Sequence, residues 1–393
     1  MRRGDPLARL RAGGPTELDV LLSGPVFFDI VFTDLPADPA PGTEVWAGGM
    51  GSSPGGISNL AVAASRLGLR TGLAAGFGDD VYGNWCWEVL GEQEGIDLRY
   101  SRRIPGWHSA VTVSVATRGD RSMITHGHPD PFTAADLLTP PPPVRAAIVE
   151  LAAAGSGSAP WWRSMAAAGA LVFADVGWDH TGVWDRATLD ALADCHAFTP
   201  NVVEAMAYTR TDDAAAALDA LAERVPLAVV TCGADGALAQ DATTGERVHV
   251  PRVDVRATDP TGAGDVFAAS LVVGTLAGWP LADRIAFSAL CSALAVQQFG
   301  GSLAAPGWGD IADWWHGVRA ERRDTDLVAR YGFLDDVLPT DPVDAVRRAE
   351  ATLTLYNDLP HTRDPAGHPD VDPAPAGPRT VPGRESRSRR GHP

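Results

Sequence analysis

Asp259-Pro260-Thr261-Gly262-Ala263-Gly264-Asp265 sets two glycines and an acid where a loop runs into a helix. The run that follows, Val266 to Val273, contains no helix breaker. The stretch before it, Glu246 to Val255, carries Val248, Val250, Val253 and Val255 and predicts a strand. The first N–H groups of a helix have no partner within it, and the positive end of the helix dipole lies at the same place. Such a terminus binds anions, phosphate foremost. Gly262 and Gly264 clear side chains from the approach. A carboxylate there repels a phosphate, so Asp265 needs a reason. One is chemistry: Asp265 accepts the proton of an attacking hydroxyl while the amides of Gly262, Ala263 and Gly264 hold charge on a transferring phosphoryl group. The plainer reading is an acid in the first turn of a helix after a glycine turn.

Read in full, D-P-T-G-A-G-D-x-F resembles the C-terminal signature of the ribokinase-like (PfkB-type) carbohydrate kinase family. The resemblance implies that Asp265 is the catalytic base and that Gly262, Ala263 and Gly264 form the anion hole. Further matches stand in the family's order. Asp29 follows Gly24 by five positions, and Pro54-Gly55-Gly56-Ile57-Ser58-Asn59 precedes a helix expected over Leu60 to Leu67. The resemblance makes Asp29, Gly55, Gly56 and Asn59 contacts of the acceptor alcohol. Here the Gly pair stands two residues from the Asn, where the family usually has three. Gly78-Asp79-Asp80-x-x-Gly83 matches another family turn. Asn201-x-x-Glu204 resembles the motif that organises Mg²⁺ through water, and Thr231-x-Gly233-x-x-Gly236 the turn that, with Asn201, meets ATP. Unaided, the first reads as a helix capping box and the second as a turn between strands. Asp259, Thr261 and Gly301 are the implied seat of a potassium ion.

Composition narrows the chemistry. The 393 residues are 45% hydrophobic and carry a net charge of −17, which argues against nucleic acid and anionic membranes as partners. No lysine occurs. A Walker A lysine, a protein-kinase strand lysine and a pyridoxal Schiff base are therefore excluded. Phosphate must be met by backbone amides, arginine and metal. Cys86, Cys195, Cys232 and Cys291 form no CxxC, and no signal-peptide core precedes Glu17, which together predict a reduced cytoplasmic protein. His126-x-His128 reads as surface histidines near a turn.

The elements must bring these motifs together. Residues 1–16 read as a flexible leader and 17–323 as the kinase domain. Within it, Leu18 to Leu22, Leu171 to Asp175 and Leu227 to Thr231 read as buried strands, Ala187 to Ala193 and Leu281 to Phe299 as helices. Val144 to Leu151 fits either. Pro-punctuated residues 30–53, with Thr43-Glu44-Val45-Trp46 as a strand, and residues 109–125 predict a small β lid. One more helix is expected within 324–359, and 360–393 should be a disordered tail that truncation after His361 would remove without loss. The fold class is α/β, a ribokinase-like doubly wound sandwich with the site at the carboxyl ends of its strands. The reading is ATP-dependent phosphorylation of a hydroxymethyl group on a sugar or sugar-like alcohol, with pairing of two copies through the lid. A nucleoside acceptor, its base stacked on Trp46 or Trp107, and a non-catalytic nucleotide-binding regulator stay open beside it.

Overall fold

Neighbouring residues of the apolar runs part to opposite sides. Val20 and Leu22 join one core cluster while Leu21 joins another, and Phe173 and Val172 divide the same way. Strands buried on both faces belong in a sheet with helices on each side. That sheet has eight strands in the order β14-β13-β12-β11-β10-β9-β1-β4. They are β1 Val20–Ser23, β4 Thr71–Ala74, β9 Ala146–Glu150, β10 Leu171–Asp175, β11 Ala197–Phe198, β12 Leu227–Thr231, β13 Ala237–Asp241 and β14 Arg247–Val250. The six from β12 to β4 are parallel, and β13 and β14 are antiparallel. Helices Ser58–Arg66, Ala263–Leu276 and Leu281–Ala295 cover one face; Arg163–Ala167, Val202–Thr209 and Ala214–Ala222 cover the other.

The computed structural model describes residues 7, 10, 16–117, 120–151, 160–179, 181–321, 324–339 and 346. All of this lies in the unit Met1–Leu353. The expected tail falls outside the described residues, as does most of the expected leader. Among the described residues no helix is long and apolar enough to cross a membrane.

The lid is a four-stranded sheet, β3-β2-β7-β8, of β2 Val26–Thr33, β3 Gly49–Gly56, β7 Ala110–Thr117 and β8 Asp120–His126. A two-stranded parallel pair, β5 Gly76–Gly78 and β6 Arg102–Ile104, stands beside it. Several expectations need correction. Thr43 to Trp46 form no strand. The Thr43 hydroxyl and N–H both bind the Ala40 carbonyl, at 2.7 and 3.1 Å, and this closes a turn in an exposed stretch with no face to bury. Gly55 and Gly56 end β3, paired with Phe27 and Val26, rather than opening the helix. The strand expected to reach Val255 stops at Val250, because Pro251 has no N–H for the ladder. The Leu281 helix ends at Ala295, and Ala187 to Ala193 fall within 3₁₀ turns, Arg186–Asp194. Val144 to Leu151 resolves as strand β9. Beyond residue 323 two short helices, Thr325–Tyr331 and Leu334–Val337, pack into the core, with Tyr331 and Leu334 fully buried. Most of the helix expected toward Leu353 lies outside the described residues.

Candidate active site

The strand order sets the site. Thr231, Asp175, Glu150, Ser23 and Ala74 are the last residues of β12, β10, β9, β1 and β4, so they line one carboxyl-end rim. The glycine turn crosses this rim. Gly262 adopts the left-handed conformation, φ 75°, as the cap of helix Ala263–Leu276. A side chain there would be strained, which explains the glycine. The Ala263 N–H returns to the Pro260 carbonyl at a long 3.2 Å, a bond that a strong anion can displace.

Asn59 reaches the turn from helix Ser58–Arg66 and donates to Asp265 Oδ2 at 2.8 Å. Its side chain lies between Gly262 and Gly301; a Cβ added at Gly301 would stand 3.0 Å from Asn59 Oδ1. That Oδ1 is buried with no hydrogen-bond partner. Asn59 therefore orients the carboxylate and keeps an acceptor for a ligand hydroxyl. Arg66, at the far end of the same helix, donates bidentately to Glu94 and to the carbonyls of Leu303 and Ala305. It ties the Asn59 helix to the turn that follows Gly301.

Two cavities meet at Asp265. One, of about 460 Å³, has Thr231, Gly233, Gly236, Pro260, Ala263 and Gly264 in its walls. Gly236, at φ 87°, closes on β14 so tightly that a Cβ would stand 2.0 Å from the Val250 carbonyl. Its far wall comes from Val253, Val255, Ala289, Ala293 and Val296, an apolar slot suited to a flat ring. The second cavity, about 260 Å³, includes Gly56, Asn59, Glu150, Asp175 and Asp265. Gly264 lines the first and Asp265, the next residue, the second.

Acid crowds this second cavity. Burial, followed by the charge of Asp265, pushes the carboxyl of Glu150 above its ordinary range, and that of Asp175 well above it. Glu204 is raised as well, mainly by burial. No lysine or arginine lines the cavity. Such an excess of buried negative charge suits a divalent cation. Among the described residues no three acidic, histidine or cysteine side chains converge as direct ligands. Mg²⁺, which keeps most of its waters and binds through one or two carboxylates and phosphate oxygens, fits that donor set.

The other sequence-derived candidates distribute as follows. Asn201 bridges to Thr231 in parallel, so the two motifs adjoin. Asn201 and Glu204 form a complete capping box: Glu204 Oε2 accepts from the Asn201 N–H at 2.9 Å, and Asn201 Oδ1 from the Glu204 N–H at 3.0 Å. The carboxylate of Asp259 accepts from the N–H and hydroxyl of Thr261, at 2.9 and 2.6 Å, and from the Gly300 N–H at 3.3 Å. These bonds staple the loop to the Gly301 turn without a cation, so no step is derived through potassium. Asp29 lies on β2 with its carboxylate over the Cα of Gly55, where a Cβ would stand 1.9 Å from Oδ2. Neither Asp29 nor Gly55 is among the residues lining the second cavity. Trp46 is 80% exposed, and neither it nor Trp107 lines either cavity. Sequence reasoning missed Glu150 and Asp175 as site residues; their position as acids ending buried strands was the available signal.

A sequence profile of the pfkB family carbohydrate kinases matches residues 26–307. The chain is 31% identical over 280 residues to a fructokinase of Klebsiella pneumoniae, covering 64% of this chain and 89% of that protein. It is 28% identical over 306 residues to a nucleoside kinase of Methanothermobacter thermautotrophicus, covering 74% of this chain and 94% of the relative. Among solved structures, a putative ribokinase II from E. coli in complex with ATP and Mg²⁺ superposes with a TM-score of 0.63 at 17% identity, over 76% of this chain and 99% of that one.

Proposed function

Because the chain belongs to the pfkB family of carbohydrate kinases, we propose that it transfers the γ-phosphoryl group of ATP to a hydroxymethyl group of a sugar or sugar-like alcohol. The acceptor oxygen bonds to the γ-phosphorus, and the bridging P–O bond to the β-phosphate breaks. ADP leaves with the electron pair, and the hydroxyl proton passes to Asp265. The observation that carries this reading is the adjacency of Gly264 and Asp265: one residue faces the large cavity, the next faces the acidic one. A phosphoryl group held at that helix terminus touches the N–H groups on one side and the acceptor on the other. Asn59 aims the base and accepts a bond from the alcohol. Asn201 and Glu204 would hold Mg²⁺ through water, and the bound ion would neutralise phosphate charge as the leaving group departs. The lid strands β2 and β3, through Phe27 and Gly56, roof the acceptor cavity and limit water as a competing nucleophile.

Asp265→Asn tests the assignment. An amide cannot take the proton, so kcat should fall by roughly 10²–10⁴-fold with ATP affinity retained. Turnover close to wild type would sink the mechanism.

A further inference from the structure

The acidic cavity does not end at the lid. A third cavity, of about 240 Å³, adjoins it and shares Pro25 and Glu150 in its wall. It lies over the carboxyl ends of β1 and β4, at Ser23 and Ala74, next to β9 in the sheet. The rim thus carries, in strand order, the large cavity at β12, the transfer point at β10 and β9, and this chamber at β1 and β4. From β10 to β4 is three strand spacings, roughly 14 Å. That span exceeds one sugar ring. Each small cavity alone falls below the ~300 Å³ at which ligand pockets begin, and only together do they reach it.

The chamber's chemistry differs from that of the acidic cavity. Its walls include Phe132, Trp161 and Trp162. The two tryptophans meet edge to face at 5.8 Å, and the Arg102 guanidinium lies 5.9 Å from the Phe132 ring centre on its face. Trp162 is 2% exposed, and its indole N–H is buried without a partner. No basic side chain lines the chamber, and Glu150 stands at its junction with the acidic cavity. A phosphate or carboxylate tail is disfavoured there. A flat, uncharged ring with N–H donors for Glu150 and an acceptor for Trp162 is favoured.

We propose that the acceptor is a nucleoside: its hydroxymethyl group at Asp265, its sugar ring in the acidic cavity, its base in the aromatic chamber. This rests on the kinase reading above and names the acceptor for the same site. The transfer step is unchanged, with the 5′-type oxygen forming the new P–O bond, ADP departing and the proton going to Asp265.

The test combines turnover with binding that needs no turnover. Wild-type enzyme is assayed with ATP and Mg²⁺ against adenosine, cytidine and uridine, and against free ribose and fructose. Calorimetry measures the binding of the same compounds to Asp265→Asn. We expect kcat/KM at least ten-fold higher for one of the nucleosides than for either free sugar. Trp161→Ala and the milder Phe132→Leu should raise KM for that nucleoside about ten-fold, with kcat and the free-sugar constants little changed and the thermal melt preserved. Free sugars turned over with no nucleoside bound would overturn the proposal and leave the kinase standing. Nucleosides bound but never phosphorylated would overturn the kinase and leave the chamber standing. Equal effects of both variants on sugars and nucleosides would make the aromatic wall structural and overturn the assignment.

Discussion

The charge of the site is set residue by residue. Asp175 and Glu150 end adjacent strands and sit in the field of Asp265, with burial the larger cause of their raised pKa. The linkage has a definite sign. An acid whose folded pKa lies above its unfolded value binds more protons when folded, so it weakens the fold as pH rises through the interval between the two. Asp175→Asn should therefore raise the melting temperature of the ligand-free protein at pH 8, and the gain should shrink toward pH 4–5, near the ordinary carboxylate range. A gain independent of pH, or a loss at pH 8, would show that the Asp175 charge is compensated within the protein. The motif residues were legible here because their spacing alone puts Asp265 in the first turn of a helix. Glu150 and Asp175 were not, because an acid at a strand end looks the same in sequence whether it faces solvent or another carboxylate.

At the level of elements, two glycines separate the demands of fold from those of ligand. An added Cβ at Gly236 meets the Val250 carbonyl at 2.0 Å, on a backbone with φ 87°. Gly236→Ala should cost at least about 1–3 kcal/mol, seen as a lower denaturant midpoint. Gly264 is the opposite case: an added Cβ finds open space within a helix. Gly264→Ala should leave the midpoint unchanged or raise stability by about 0.5–1 kcal/mol, yet raise KM for ATP, since the methyl projects where phosphate must come. Loss of both stability and activity would mean that the turn itself needs the glycine. The strands of the main sheet could be read because both faces are apolar, which leaves short continuous runs. The lid misled because Thr43 to Trp46 alternate as a strand does, while the real β3 is Gly-Met-Gly-Ser-Ser-Pro-Gly-Gly, a sequence of low strand propensity held by its pairing with β2.

For the whole molecule, burial reaches past the last motif. Leu334 is fully buried in the core that holds the Leu281 helix. Leu334→Ala should cost about 2–5 kcal/mol, with a matching fall in melting temperature; a silent substitution would show this segment to be dispensable. The lid also has an uncovered side. Ile30 pairs with Val113 and Val113 with Ile124, while Phe32 pairs with Val115, so these side chains share one face. Ile124 is 74% exposed and the others are partly so. We expect a second copy of the chain to cover this face. Light scattering should then report a dimer for the wild type and a monomer for Ile124→Glu; a monomeric wild type would remove the expectation.

The large cavity and the acidic cavity have no wall residue in common, and they touch only where Gly264 gives way to Asp265. Neither substrate has to cross the other's seat to reach its own. Initial-rate lines measured at several fixed concentrations of the second substrate should therefore intersect, either substrate should add first, and ADP should compete with ATP while leaving the alcohol's seat open.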